Sequence, residues 1–218
     1  MVINHRSSAP VNNSADFAIA RAALISVDQL GPGWAPESTV SPSSSWAEFR
    51  ELFAAQPECA GYTAAVHSLE ATAAGAMASH INLKGQVISE ELTIYSSKDA
   101  ASRVMDRVEA TGFQNCFFAT YDAASSIGFP GSGPTTTSYN IAPPPPAHGD
   151  RQISFGQETR TLVDSQTRLF HNVWVQVDRS IIHIVVSPDG FGSDNPAGNL
   201  EKSIATSIAL LNKAMSTG

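Results

Sequence analysis

Residues 86–112 read QVISEELTIYSSKDAASRVMDRVEATG, and their hydrophobic period changes partway along. Ile88, Glu90, Leu92 and Ile94 alternate with Ser89, Glu91, Thr93 and Tyr95. That is the two-residue period of a strand with one buried face. Ser96 then stands three residues before Asp99, in the manner of a capping box. Ala101, Val104, Met105 and Val108 follow on one side of a helix that Gly112 is placed to close. The stretch predicts a half-buried strand leading into an amphipathic helix.

Downstream, residues 152–163, 168–178 and 181–187 form three further strand candidates. The connections between them, 164–167 and Arg179-Ser180, are short enough for antiparallel hairpins. Val173, Val175 and Val177 point to one face, and Asn172, Trp174, Gln176 and Asp178 to the other, so a solvated second face is expected. Asn195-Pro196 suits a helix start, and Leu200, Ile204, Ile208, Leu211 and Met215 line one side of a closing helix. That helix is expected on the valine face. The fold class these segments predict is α+β, an antiparallel β-sheet packed against helices in a single domain over 15–218.

Upstream the chain is mainly helical in pattern. Residues 1–14 are polar and read as a flexible N-terminal arm. Phe17, Ala20, Ala23 and Leu24 give helical spacing over 15–25, and Gly31-Pro32-Gly33 stops any regular element. Residues 35–45, rich in Ser and Pro, read as a loop. Residues 46–55 read as a second helix with Trp46, Phe49 and Phe53 on one face, ended by Pro57. The Ala-rich run 59–78 favours another helix by propensity, weakened by Gly75. Residues 117–149, which include Gly128 to Pro134 and the four prolines 143–146, show no sustained period. They read as a long irregular excursion, either a binding lip or a linker.

A chain of 218 residues with 42% apolar content supplies a core without needing metals. Charged residues are only 15%, so solvation rests largely on small neutral polar groups. A formal charge of −7, with 13 scattered basic residues, argues against nucleic acid, which requires clustered Lys and Arg. No stretch approaches the roughly 18 apolar residues of a membrane helix. The opening MVINHRSSAP lacks the apolar core of a signal peptide, and an ectodomain or mature lipoprotein without its leader would start in this way. The expectation is an extracytoplasmic, cell-envelope or secreted protein, with a membrane tether through a missing N-terminal anchor. Cys59 and Cys116 are either free thiols or one bridge. They lie far apart and lack any Cys-x-x-Cys pattern, which fits a structural disulfide better than a metal site or redox pair.

Four features then carry a family resemblance. They are Ala23-Leu24-Ile25 through Leu30-Gly31-Pro32-Gly33-Trp34, the Pro57-Glu58-Cys59-Ala60 segment, the strand and helix over 89–108 followed by Cys116, and paired strands before a terminal helix. In that order, over residues 22–214, the chain resembles the extracellular sensor domain of mycobacterial PknH-type Ser/Thr kinases and the related actinobacterial secreted lipoproteins. The resemblance implies an antiparallel sheet against helices, an exported location, and a cleft for an unidentified small ligand of the cell envelope. Family members often carry two disulfides, whereas this chain can make only Cys59–Cys116. It also lacks the glycine that relatives commonly have in the turn Asp178-Arg179-Ser180.

There is no Gly-x-Ser-x-Gly elbow, phosphate loop, Gly-x-Gly-x-x-Gly or His-Glu-x-x-His, and Gly131-Ser132-Gly133 has the wrong spacing for an elbow. His5, His67, His80, His148, His171 and His183 show no metal-ligand spacing. No catalytic residue, metal or cofactor is therefore expected. Trp174, Gln176 and His183 are the candidate ligand-binding residues. If the face opposite the valines is open, an aromatic beside polar groups floors a small-molecule cleft. If a loop or helix covers it, they are core. The leading reading is a sensor or ligand-binding domain, the alternative is a cell-envelope protein-interaction domain with no small ligand, and a buried carboxylate or histidine pair with perturbed titration would favour a hydrolase.

Overall fold

Alternation along 86–95 does produce a strand, and it becomes the middle of a large sheet. The computed structural model describes residues 15–37, 41–42, 55–60, 73–128, 135–140, 146–161, 167–187 and 196–217. In chain order these give α1 (Ala15–Ala22), α2 (Val27–Leu30), β1 (Trp34–Pro36), β2 (Ser41–Pro42), a 3-10 turn (Pro57–Cys59), β3 (Ala74–Asn82) and β4 (Val87–Ile94). There follow α3 (Lys98–Glu109), α4 (Thr111–Gly128), β5 (Thr135–Asn140), β6 (Arg151–Thr161), β7 (Thr167–Val177), β8 (Ser180–Val186) and α5 (Pro196–Thr217).

The strands form one eight-stranded antiparallel sheet in the order β1-β3-β4-β8-β7-β6-β5, with β2 also pairing β3. The fold is therefore α+β, as the periodicities imply. The three downstream hairpin strands appear within a residue or two of their expected ends, and β8 returns to pair with β4 in the register Glu91↔His183. Helices cover both faces. On one, α1 and α5 bury Ala20, Ala23, Leu200, Ile204 and Leu211 against Ile88, Leu92, Val173, Val175 and Ile184. On the other, α3 and α4 bury Met105, Val108, Phe117 and Phe118 against Ile153, Phe155, Trp174 and Ile181. No helix among the described residues is long and apolar enough to cross a membrane.

Several expectations need correction. The second face is not solvated, because Trp174 and Gln176 are buried beneath α3 and α4. The Ala-rich run is strand from Ala74 onward. Ala76 and Ala78 are fully buried against α1, and their small side chains let that helix approach the sheet, so packing overrides helix propensity. The expected loop over 35–45 contributes edge strand at Ala35-Pro36 and at Ser41-Pro42. The expected irregular excursion from 117 is helix to Gly128 and then β5. Its period is present after all, since Phe113, Cys116, Phe117, Thr120 and Tyr121 recur at helical spacing, but Phe118 broadens the apolar stripe. Gly112 does not end α3. That helix stops at Ala110, whose extended backbone (φ −66°, ψ 130°) turns the chain into α4. The cap of α3 is Ser97, one residue beyond Ser96, and its hydroxyl accepts from the Ala100 amide at 3.1 Å. The arm 1–14, the helix expected over 46–55 except Ala55, residues 61–72 and prolines 143–145 lie outside the described residues.

The β7–β8 turn explains the missing glycine. Asp178 takes the left-handed conformation (φ 50°), which a short polar side chain tolerates better than most. The Arg179 guanidinium then donates to both oxygens of Asp16 in α1, at 2.9 and 2.6 Å, and to the Tyr95 carbonyl at 3.0 Å. Its hydrogen bonds hold the Asp16 carboxyl below the usual carboxylate range. A side chain at the tip thus ties the hairpin to the first helix.

Candidate ligand-binding site

Antiparallel register places Trp174 directly opposite His183 across β7 and β8, both on the α3/α4 side. Their rings stack at 3.9 Å between centroids, only 9° from parallel. From β6, Phe155 lies against the other side of the indole at 5.0 Å and 28°. Phe113 and Phe117 of α4 meet the indole edge-on at 6.4 and 6.0 Å, a favourable geometry for rings with negative faces and positive edges. Trp174 is consequently 6% exposed.

Gln176, one residue pair nearer the turn, is 2% exposed. Its amide nitrogen donates to the Ser102 hydroxyl at 3.0 Å and to the Asp178 carbonyl at 3.1 Å, fastening α3 to the sheet. The structure therefore brings Trp174 and His183 into contact and engages Gln176 elsewhere. Toward β3 and β4 the cover thins, and Met77, Glu91, Thr93, Val185 and His183 itself are half-buried. His183 stands where the aromatic core gives way to that half-covered row.

Its electrostatics follow from its surroundings. His183 Nε2 is buried without a hydrogen-bond partner, and desolvation lowers the imidazole pKa to about 3. The ring is therefore uncharged at neutral pH, since burial penalises the charged form. Nearby on the same face, Asn172 donates through Nδ2 to Gln157 Oε1 at 3.3 Å, and Gln157 to the Thr159 hydroxyl at 3.3 Å. Asn172 Oδ1 is buried with no partner. Sequence reasoning passed over Asn172, although its place in the alternating strand, two residues before Trp174, puts it on this face.

Beside this face the disulfide Cys59–Cys116 joins the 3-10 turn to α4, with Cα atoms 4.8 Å apart and both residues fully buried. Ion pairs hold the rim. Arg151 of β6 binds Asp106 and Glu109 of α3, and Lys98 binds Asp150 at 2.8 Å.

Glu90 projects to the opposite face, 2% exposed. The Ile25 amide donates to Oε2 at 2.7 Å, and the Ser207 hydroxyl of α5 donates to Oε1. His80 Nε2 donates to the Ile25 carbonyl at 2.8 Å. Burial raises the Glu90 pKa to about 7 against the lowering effect of those two hydrogen bonds. With both oxygens engaged inside the core, this perturbed carboxyl serves as a tie between β4, α5 and the segment that follows α1. Among the described residues no three or more His, Cys, Asp or Glu side chains cluster so as to hold a metal ion.

No family model matches the chain, and no curated protein matches it. Among solved structures it is similar to the extracellular domain of PknH from Mycobacterium tuberculosis. The identity is 10% and the TM-score 0.44, over 92% of this chain and 96% of that one. It is also similar to an uncharacterized protein from Mycobacterium smegmatis, at 11% identity and a TM-score of 0.37, over 88% and 97% of the two chains. At these values neither likeness says what this chain binds or does.

Proposed function

We propose that the chain is an extracytoplasmic sensor or ligand-binding domain without catalytic activity, whose small ligand comes from the cell envelope and is taken beside His183. The observation that carries this reading is that His183 Nε2 and Asn172 Oδ1, two of the seven buried side-chain atoms without partners among the described residues, lie on one face of adjacent strands. Buried polar groups are nearly always hydrogen-bonded, so two unpartnered atoms on neighbouring strands call for an explanation, and a polar ligand admitted beside the half-covered His183 supplies one. The fully buried disulfide supports an oxidising compartment, where such bonds persist.

A thermal-shift screen against envelope lipid and glycan extracts tests the reading, because a ligand that binds only the native state raises its melting temperature. The expected outcome is a concentration-dependent rise that disappears in His183→Phe. A protein-interaction domain is favoured by a different observation, the closure of both indole faces of Trp174 by His183 and Phe155. No rise with any extract would select that alternative.

A further inference from the structure

We infer that Glu90, Ile25 and Ser207 form a proton-operated latch, which holds α1 and the segment after it on the sheet while the carboxyl is protonated and lets that segment lift away when it ionises. This is a regulatory device built into the fold, independent of ligand binding beside His183.

Ile25 is held through both of its backbone groups by side chains from neighbouring strands. Its amide donates to Glu90 Oε2 on β4 at 2.7 Å, and its carbonyl accepts from His80 Nε2 on β3 at 2.8 Å. His80 pairs with Ile88 and Glu90 with Ala78, so the two are diagonal neighbours on one face. The Ser207 hydroxyl of α5 donates to the other Glu90 oxygen. One carboxyl thus joins a central strand to two elements that are not part of the sheet.

Its surroundings make the charge on it decisive. Glu90 is buried in the aliphatic core, and both of its oxygens are taken by uncharged donors. A buried charge with no opposite charge beside it is disfavoured. The charged groups of the elements packed around it are engaged elsewhere or face water. Asp16 of α1 is bound by Arg179, while Arg21 of α1 and Asp28 of α2 are exposed. Glu201, Lys202 and Lys213 of α5 are exposed too, and β8 presents Ile182, Ile184 and Val186. His80 is the other titratable group that touches Ile25. Its Nε2–H donates to the carbonyl whichever charge the ring carries, because a carbonyl oxygen only accepts. Switching therefore falls to Glu90, whose carboxyl burial pushes up to about 7.

The protonated state is accommodated where it stands. A proton on Oε1 is received by Ser207 Oγ, which accepts as well as donates, and Oε2 is left to accept from Ile25. Ionisation calls for water instead, and the segment after α1 is the part that yields most readily. β4 is bonded along both edges, to β3 and to β8. α5 has 22 residues and buries Leu200, Ile204 and Leu211. α1 has eight, too few for a helix to be stable unaided. The side chains with no exposure at all over α1 and its exit are Ala20 and Ala23, which give up little apolar burial on release.

Native-state amide hydrogen exchange of the full chain tests this, since it reads local opening residue by residue. Protection is followed at Ala23 and Ile25 and at the centres of β7 and β8, from about pH 5 to 8 and at several low urea concentrations. The expected result is that Ala23 and Ile25 are less protected than the sheet and respond little to urea, as suits an opening that exposes little surface. Their protection should fall roughly tenfold per pH unit up to about pH 7 and level off above it, the carboxyl's ordinary value being 4.5. Glu90→Gln, which keeps an acceptor for Ile25 and carries no charge, should make the profile flat.

Exchange at Ile25 that merges with that of the sheet and shares its urea dependence overturns the latch, because the segment then opens only with the whole fold. A flat profile in the wild-type chain overturns it as well, as does a slope that survives in Glu90→Gln. Should that variant fail to fold, Ser207→Ala decides. Losing a hydrogen bond that favours the carboxylate should carry the fall to higher pH, and an unmoved midpoint overturns the proposal.

Discussion

On the α1/α5 side of the sheet the core is aliphatic, and the carboxyl buried there, Glu90, has hydrogen bonds at both oxygens. On the α3/α4 side the core is aromatic, lies beside the disulfide, and buries uncharged amides and an imidazole with two polar atoms left without partners. Both sides keep buried polar atoms without partners, His80 Nδ1, Gln86 Nε2 and Ser180 Oγ on the first and His183 Nε2 and Asn172 Oδ1 on the second. The sides differ in the charge they bury: the contribution of the Glu90 carboxyl falls as pH rises, and that of the His183 imidazole falls as pH drops.

The largest expected effect tests how much the aromatic side depends on its covalent link. The bridge spans 57 residues of sequence, and in the chain-entropy model closing such a loop stabilises by about 4 kcal/mol. Urea unfolding of Cys59→Ser/Cys116→Ser should show a loss of that order. A loss below about 1 kcal/mol would mean that ring packing alone holds α4.

Next comes titration, in which the two faces oppose each other. Glu90 has a folded pKa of about 7 against an ordinary value of 4.5. Its contribution is fully present below pH 4.5 and is lost as pH rises to about 7, a change of about 3 kcal/mol at roughly 1.4 kcal/mol per unit. His183 has the reverse sign. With a folded pKa of about 3 against 6.5, its contribution is present above pH 6.5 and is lost as pH falls toward 3. Unfolding free energies measured across pH 3–8 should lose the neutral-side decline in Glu90→Gln and the acid-side decline in His183→Phe. Parallel profiles for the two variants would erase the contrast between the faces.

The smallest expected effect probes the close approach of α1. Ala76→Leu adds bulk where Ala76 is fully buried against that helix, and overpacking of this kind costs roughly 1–3 kcal/mol. Chemical denaturation measures it. An unchanged midpoint would show that α1 has room to retreat and that alanine was not needed there.

Legibility followed periodicity. β4, α3, the β6–β7–β8 hairpins and α5 could be read because each shows one clean period with one buried face. β3 could not, because its alanines answer to α1, far earlier in the chain, rather than to their own propensity. α4 was hidden because Phe117 and Phe118 are both buried, which blurs the stripe that marks a helix. The Trp174–His183 contact was partly legible, since a two-residue turn at Asp178-Arg179 fixes which residues face each other.

The sequence alone determined which residues share a face of each strand, that Cys59 and Cys116 had only each other to pair with, and that α5 would lie on the valines. These follow from backbone geometry repeated over a few residues. Only the tertiary structure decided that α3 and α4 close over Trp174, that Ser102 engages Gln176, and that Asn172 Oδ1 and His183 Nε2 are among the buried atoms left without partners. The first two depend on contacts between segments far apart in the chain, Phe117 with Trp174 and Ser102 with Gln176, whose approach no local pattern encodes.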